Sequence, residues 1–282
     1  MSLIKKYTAC IFLIWAFTAG YWQEGFSQAA FASGSSEAKS SDSGDSRIDL
    51  SAYTDARAMG FLATGKIHSA GTIKDSGNGA VLIGKGDRVY VKMNPGWTCS
   101  SNKSFTICRV SSKVRDPSSR DTLGFVVDFL GVLTLDGPSG QSECGALVKE
   151  SFKPVAAGDF LLQTDHPAAC IKPIASEGNI TAQIAASKES MEILSQFSVI
   201  YLKGGASLGL AKGMVMQILE KSPKTSVIGH LVISDVYPES AVAVVVESIK
   251  EFHPWTIARG AGRKDIEYLL KKAFLCPAGK SR

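Results

Sequence analysis

The chain has 282 residues, 45% of them hydrophobic and 20% charged, enough for one large or two ordinary domains. Its formal charge is +5, with Lys and Arg scattered apart from a basic C-terminal end. Nucleic-acid binding usually leaves a concentrated basic stripe, so no nucleic-acid partner is expected.

The first 32 residues read as a secretory signal. Lys5 and Lys6 form a positive start, Ala9 to Trp22 (ACIFLIWAFTAGYW) an apolar segment, and Ala30-Phe31-Ala32 an A-x-A site with cleavage after Ala32. The alternative is an uncleaved anchor, but the run of about 14 residues is short of the roughly 20 that a spanning helix needs. Cys10 stands at the start of this run, where a lipid-modified cysteine would follow it. Export to the periplasm or cell envelope is the expectation. Five cysteines remain after cleavage: Cys99, Cys108, Cys144, Cys170 and Cys276. Disulfides persist in that compartment, and an odd count leaves at least one thiol unpaired or paired between chains. Cys99 and Cys108 are close enough in sequence for a local bridge, and buried thiols are the alternative.

Residues 33–57 begin with SGSSEAKSSDSGDS, which has too little apolar surface to offset ordering, and are expected to be a flexible tether. From Met59 onward come short β-type runs separated by Gly, Pro, Asn or Ser, the pattern of a barrel or sandwich. Gly79 to Gly86, GAVLIGKG, has the spacing of a phosphate loop. Such a loop needs Ser or Thr after its lysine and a helix behind it. Here Gly86 follows Lys85, and Asp87-Arg88-Val89-Tyr90-Val91 alternates like a strand. The expectation is strand, Gly-Lys-Gly-Asp turn, strand.

The order of features then repeats. Lys103–Val110, a polar stretch, Leu123-Gly124 and Ala146–Phe152 match Gly213–Leu219, a polar stretch, Ile228-Gly229 and Ala241–Ile249. The glycine opening each inner strand marks a bend, bulge or close backbone approach. This gives β modules at 58–163 and 180–258, a proline-bearing linker at 164–179, and an amphipathic helix at 263–275. In that helix Ile266, Leu269, Leu270 and Leu275 fall near helical spacing, Lys271 and Lys272 lie near its negative end, and Pro277 follows. It is expected to pack on its own domain, and membrane contact is possible only through it. The fold class is all-β: two tandem small barrels or sandwiches with a short C-terminal helix.

Several of these segments carry a family resemblance. Gly86-Asp87-Arg88-Val89-Tyr90-Val91, Asp116-Pro117 ahead of Leu123-Gly124, Gly158-Asp159, and Val199 to Leu210 (VIYLKGGASLGL) are similar to the β-rich region that follows LysM in secreted bacterial LysM proteins. They also resemble the C-terminal domain of flagellar assembly protein T. The likeness covers about residues 58–258. It implies a β fold in the cell envelope, near peptidoglycan or a flagellar or envelope machine. No LysM module is seen upstream, so glycan binding does not carry over residue by residue.

Nothing in the sequence demands a cofactor, and no metal site is expected. His68, His166, His230 and His253 lack metal-ligand spacing and are read as surface or loop residues. No G-x-S-x-G elbow occurs. Asp75-Ser76 and Asp116-Pro117-Ser118-Ser119 read as turn chemistry. Asp87 and Asp159 read as caps on local backbone N–H groups and not as paired acids. The expected function is therefore non-enzymatic: binding or assembly with an envelope protein or peptidoglycan through strand edges and loops. One alternative is a direct glycan binder stacking sugars on Trp97 and Trp255, large aromatics that otherwise fill cores or junctions. Another is an envelope hydrolase with a dispersed site.

Overall fold

The computed structural model describes residues 46–139, 143–165, 168–176, 180–220 and 224–277. The signal at 1–32, most of the serine-rich stretch and His166 lie outside the described residues. Asp42–Arg282 forms one compact unit.

Among the described residues the fold is all-β, with two closed six-stranded barrels in tandem and one short α-helix. The first barrel uses β3 (Gly71–Ser76), β4 (Arg88–Met93), β5 (Ser104–Arg115), β6 (Thr122–Pro138), β7 (Glu143–Ser151) and β8 (Phe160–Leu162). The second uses β10 (Thr181–Ser187), β11 (Val199–Lys203), β12 (Val215–Glu220), β13 (Ser226–Val236), β14 (Ser240–Ser248) and β15 (Ile257–Gly260). The ring orders are β3-β4-β7-β6-β5-β8 and β10-β11-β14-β13-β12-β15, every neighbouring pair antiparallel. With strands numbered one to six within each barrel, both rings read 1-2-5-4-3-6. The repeat in the sequence is thus a repeat of topology: β5 answers β12, β6 answers β13, and β7 answers β14. The inner-strand glycines mark close approaches. A Cβ on Gly124 would stand 2.3 Å from the Ala63 carbonyl oxygen, and one on Gly229 would stand 2.4 Å from that of Glu247.

Side-chain alternation explains the cores. In β4, Val89, Val91 and Met93 are buried and Arg88, Tyr90 and Lys92 are exposed, as one buried face requires. In β14 every residue from Ala241 to Val246 is buried. Ala241, Ala243 and Val245 face the barrel interior, while Val242, Val244 and Val246 join a second cluster outside it. A strand covered on both sides reads as a continuous apolar run for this reason. Each valine of this run contributes about 1.5–3 kcal/mol when fully buried.

The outer cover of the second barrel corrects the expected tether and linker. From residue 46 the 33–57 stretch is ordered. It supplies β1 (Ile48–Asp49) and 3₁₀ turns at Leu50–Ala52 and Ala56–Ala58, capped by Asp49 and Asp55. Ile48, Leu50, Tyr53, Ala56 and Met59 are buried against Tyr201, Val242 and Val244. The serine-rich composition stops just before these apolar anchors. The 164–179 linker contributes β9 (Cys170–Ile171), which pairs with β1. The helix α1 is shorter than expected, Arg263–Leu270, and buries Leu269 in the same cluster. Beyond α1, Leu275 bridges Ile48.

The candidate Cys99–Cys108 bridge is not formed. The disulfides are Cys99–Cys144 and Cys170–Cys276, and Cys108 is a buried free thiol. Along β5, Phe105 and Ile107 face the barrel core, where Cys99 and Cys144 also pack. Cys108 faces the other way, among Ala63, Val127 and Phe129. Nearness in sequence does not help two cysteines on opposite faces of a sheet.

Candidate functional site

The Gly79–Gly86 stretch is a turn and not an anion cradle. No helix starts at Lys85; β4 begins at Arg88. The expected first strand is also absent, because Ile83 alone forms a bridge, to Val155, while Val81 and Leu82 are exposed. The turn recurs. Asp87 Oδ2 accepts from the Gly84 N–H at 2.9 Å, and Asp159 Oδ2 accepts from the Ala156 N–H at 2.8 Å. In the second barrel Ser198 Oγ accepts from the Ser195 N–H at 3.1 Å, and Leu194 bridges Phe252 as Ile83 bridges Val155. Gly86 and Gly158 hold the left-handed position of these turns at φ +91° and +94°. Phe197 and Trp255 hold it in the second barrel at +74° and +73°.

Trp97 and Trp255 are half-buried and belong to different barrels. Trp97 packs edge-on against Phe105 at 5.7 Å between centroids, with the Lys103 ammonium 4.8 Å over its ring. Trp255 packs against the cluster covering the second barrel. The two do not form a common stacking surface. Asp116 caps a hairpin tip, accepting from the Ser118 N–H at 2.9 Å. It also reaches across to the second barrel. The Lys203 ammonium, 2.7 Å away, holds the Asp116 carboxyl below its usual range.

His230 departs from the surface role expected of it. It is buried on β13, with Nδ1 3.2 Å from Glu247 Oε2. Its Nε2 lacks a hydrogen-bond partner, and Asp265 Oδ1 of α1 stands 3.9 Å away. Tyr268 donates to Glu247 Oε1 at 2.7 Å, and Gln217 donates to Asp265 at 2.9 Å, so this polar cluster seats α1 on the barrel. The one visible signal was a histidine inside the apolar run Ile228–Ile233. His253 caps a turn, with Nδ1 2.8 Å from the Glu192 carbonyl oxygen, and His68 is exposed. Among the described residues no group of three or more His, Cys, Asp or Glu side chains is placed to hold a metal ion. None of the described helices is long and apolar enough to cross a membrane.

A small cavity of about 210 Å³ lies on the first barrel, beside Arg88, Tyr90 and Asp136, and larger clefts lie between the barrels. The strand β2 (Phe61–Ala63) adds to the outside of the first barrel, along β6, with its other edge toward the second. Two outward carbonyls on this stretch are taken by barrel-two hydroxyls: Tyr201 donates to Met59 O at 2.7 Å and Ser240 to Leu62 O at 2.7 Å. Beyond Ala63 the chain bends at Gly65, and the backbone of Thr64 through His68 makes no hydrogen bond among the described residues. A cleft of about 460 Å³ opens there, walled by Phe61, Ile67 and Leu162 on one side and Tyr237 and Pro238 on the other. The Phe61 and Tyr237 rings stack at 4.8 Å, and burial pushes the Tyr237 phenol well above its usual range. A second cleft of about 500 Å³ shares Thr64 and Glu239 with the first and is lined by Thr181, Gln183, Lys203 and Ser207. The two meet in one trough, and Leu123 and Leu208 add apolar surface to the second cleft. Its walls come from positions some 170 residues apart, so sequence reading missed Tyr237 and Glu239.

Comparison with protein-family models found no match, and comparison with curated proteins found none.

Proposed function

We propose that this chain is an exported, non-enzymatic protein of the cell envelope with a binding or assembly role, and that it engages its partner in the trough between the barrels. The observation that carries this reading is the open backbone at Thr64–His68 beside an apolar cleft. Closing a sheet into a barrel removes its edges, so unpaired backbone in such a fold collects in the few segments outside the rings. The trough meets the general description of a recognition site, apolar walls with a few polar groups. The two disulfides support an oxidising compartment, as does the signal-like start of the sequence. The likeness to LysM-associated and flagellar assembly regions agrees with an envelope role near peptidoglycan or an envelope machine.

The test is photocrosslinking in intact cells, with a benzophenone amino acid placed at Ile67 or Leu208 in the trough and at Lys85 on a remote turn. Adducts specific to the trough positions are expected. Equal adducts at all three positions, or cell-wall hydrolysis by the purified protein that is lost on one side-chain change, would overturn the reading. Co-sedimentation with isolated peptidoglycan tests the glycan alternative separately, with Trp97→Ala and Trp255→Ala as its variants.

A further inference from the structure

We propose that His230 is a proton-operated latch on the C-terminal helix: gaining a proton clamps α1 to the second barrel, and losing it loosens α1. His230 is buried on β13, and its two ring nitrogens face two carboxylates. Nδ1 lies 3.2 Å from Glu247 Oε2, and Nε2 lies 3.9 Å from Asp265 Oδ1. Glu247 belongs to β14 and Asp265 to the first turn of α1. A neutral imidazole carries one N–H. Whichever nitrogen holds it, the other turns a lone pair toward a carboxylate inside the fold. Only the imidazolium, with an N–H on each nitrogen, serves both oxygens. The proton thus completes a bridge from barrel to helix. Closing the Nε2 gap to hydrogen-bond length takes a movement of roughly 1 Å.

The surroundings orient both carboxylates without neutralising them. Tyr268 donates to Glu247 Oε1 at 2.7 Å, Gln217 to Asp265 Oδ1 at 2.9 Å, and the Gly262 N–H to Asp265 Oδ2 at 2.9 Å. Among the described residues neither carboxylate pairs with a lysine or arginine. Arg259 of β15 donates to Gln217 Oε1 at 2.8 Å, and the Lys272 ammonium lies 6.0 Å from the centroid of the Tyr268 ring. Glu220 of β12 is paired with Lys250, and Arg263, Lys264, Glu267 and Lys271 are exposed. The Tyr53 phenol, held above its usual range by burial and then by the charges of Asp49 and Glu247, keeps its proton. Leu269 is the one buried residue of α1, so this polar bridge is a large share of what seats the helix. Proton uptake and docking therefore favour each other. Histidine titrates near neutrality, so the latch is closed at a pH of about 5.5 and opens as pH rises toward about 8.

Hydrogen–deuterium exchange of the full chain, corrected for the intrinsic pH dependence of exchange, tests this. Protection of Arg263–Leu270 should fall about tenfold between pH of about 5.5 and about 8, while that of β4 stays level. The fall should vanish in His230→Gln and shrink in Asp265→Asn, which keeps a carbonyl oxygen in place. If His230→Gln does not fold, Asp265→Asn decides alone. Protection that is flat or rises with pH in the unaltered chain, or an undiminished fall in either folded variant, would overturn the latch.

Discussion

Tyr201, on the outer face of the second barrel, donates its hydroxyl to the carbonyl oxygen of Met59 at 2.7 Å, across 142 positions of sequence. Both groups are buried, and the bond holds the segment leading into β2 against β11. Removing the hydroxyl leaves the Met59 carbonyl unsatisfied. Tyr201→Phe should lower stability by about 1–3 kcal/mol, read as a shift in the urea midpoint at pH 7.

The same tyrosine makes the fold sensitive to alkali. Burial raises the Tyr201 phenol far above the usual tyrosine value of about 10, and the same cause raises Tyr237. The folded chain keeps these protons after the unfolded chain has begun to lose them. Their contribution is full below pH of about 10 and is lost as pH rises beyond it. Urea midpoints should therefore fall between pH 9 and 11, and less steeply in Tyr201→Phe. Equal slopes in both proteins would refute the assignment.

Cysteine accessibility separates the pairing in the structure from the Cys99–Cys108 candidate. Asp42–Arg282 should show no reactive thiol to Ellman's reagent when folded. It should show one after unfolding without reductant, because Cys108 is buried and its thiol raised by burial. Peptide mapping should recover Cys99 linked to Cys144 and Cys170 linked to Cys276. Breaking the second bridge, which closes a separation of 106 residues, should cost about 2–5 kcal/mol.

Glycines separate backbone strain from crowding. Gly158 has φ +94° and open space where a Cβ would stand, so Gly158→Ala should cost only about 1 kcal/mol. At Gly60, φ is +68° and a Cβ would stand 2.3 Å from the Val127 carbonyl oxygen, so Gly60→Ala should cost several times more. Thermal melts of the two variants check the ratio.

Asp159 is a buried carboxylate that accepts from Arg109 Nε at 2.6 Å, from an Arg109 terminal nitrogen at 2.7 Å and from the Ala156 N–H at 2.8 Å. Asp159→Ala should lose about 2–3 kcal/mol, more than Asp87→Ala, whose carboxylate is less buried. Chemical denaturation of both compares them.

Much of the fold was legible because its signals are local. Val89 and Val91 alternate with charged neighbours, and Gly124 and Gly229 open their inner strands in both halves. The absence of a hydroxyl after Lys85 was enough to reject the phosphate loop. What was not legible depends on distance. The cysteine partners depend on which face of the sheet each residue occupies, and Gly79–Leu82 is apolar yet runs over the surface. The order of residues 46–57 depends on Val242 and Val244, far along the chain, offering an apolar wall. The trough joins Thr64–His68 to Tyr237–Ser240, and no spacing rule links those segments. Phe197 and Trp255 stand where the first barrel has glycine, so the repeated turn was hidden by the residues occupying it.

The strand β1 lies between β9 and the stretch that ends at Cys276. Asp49 N–H donates to Phe274 O, and Cys276 N–H donates to Arg47 O, each at 2.9 Å. Arg47–Leu50 are synthesised long before Phe274–Cys276, so β1 can pair with β9 on one side while its other edge waits for the last stretch to be made. Removing Phe274–Cys276 would reopen that edge and loosen the segment that begins at Arg47.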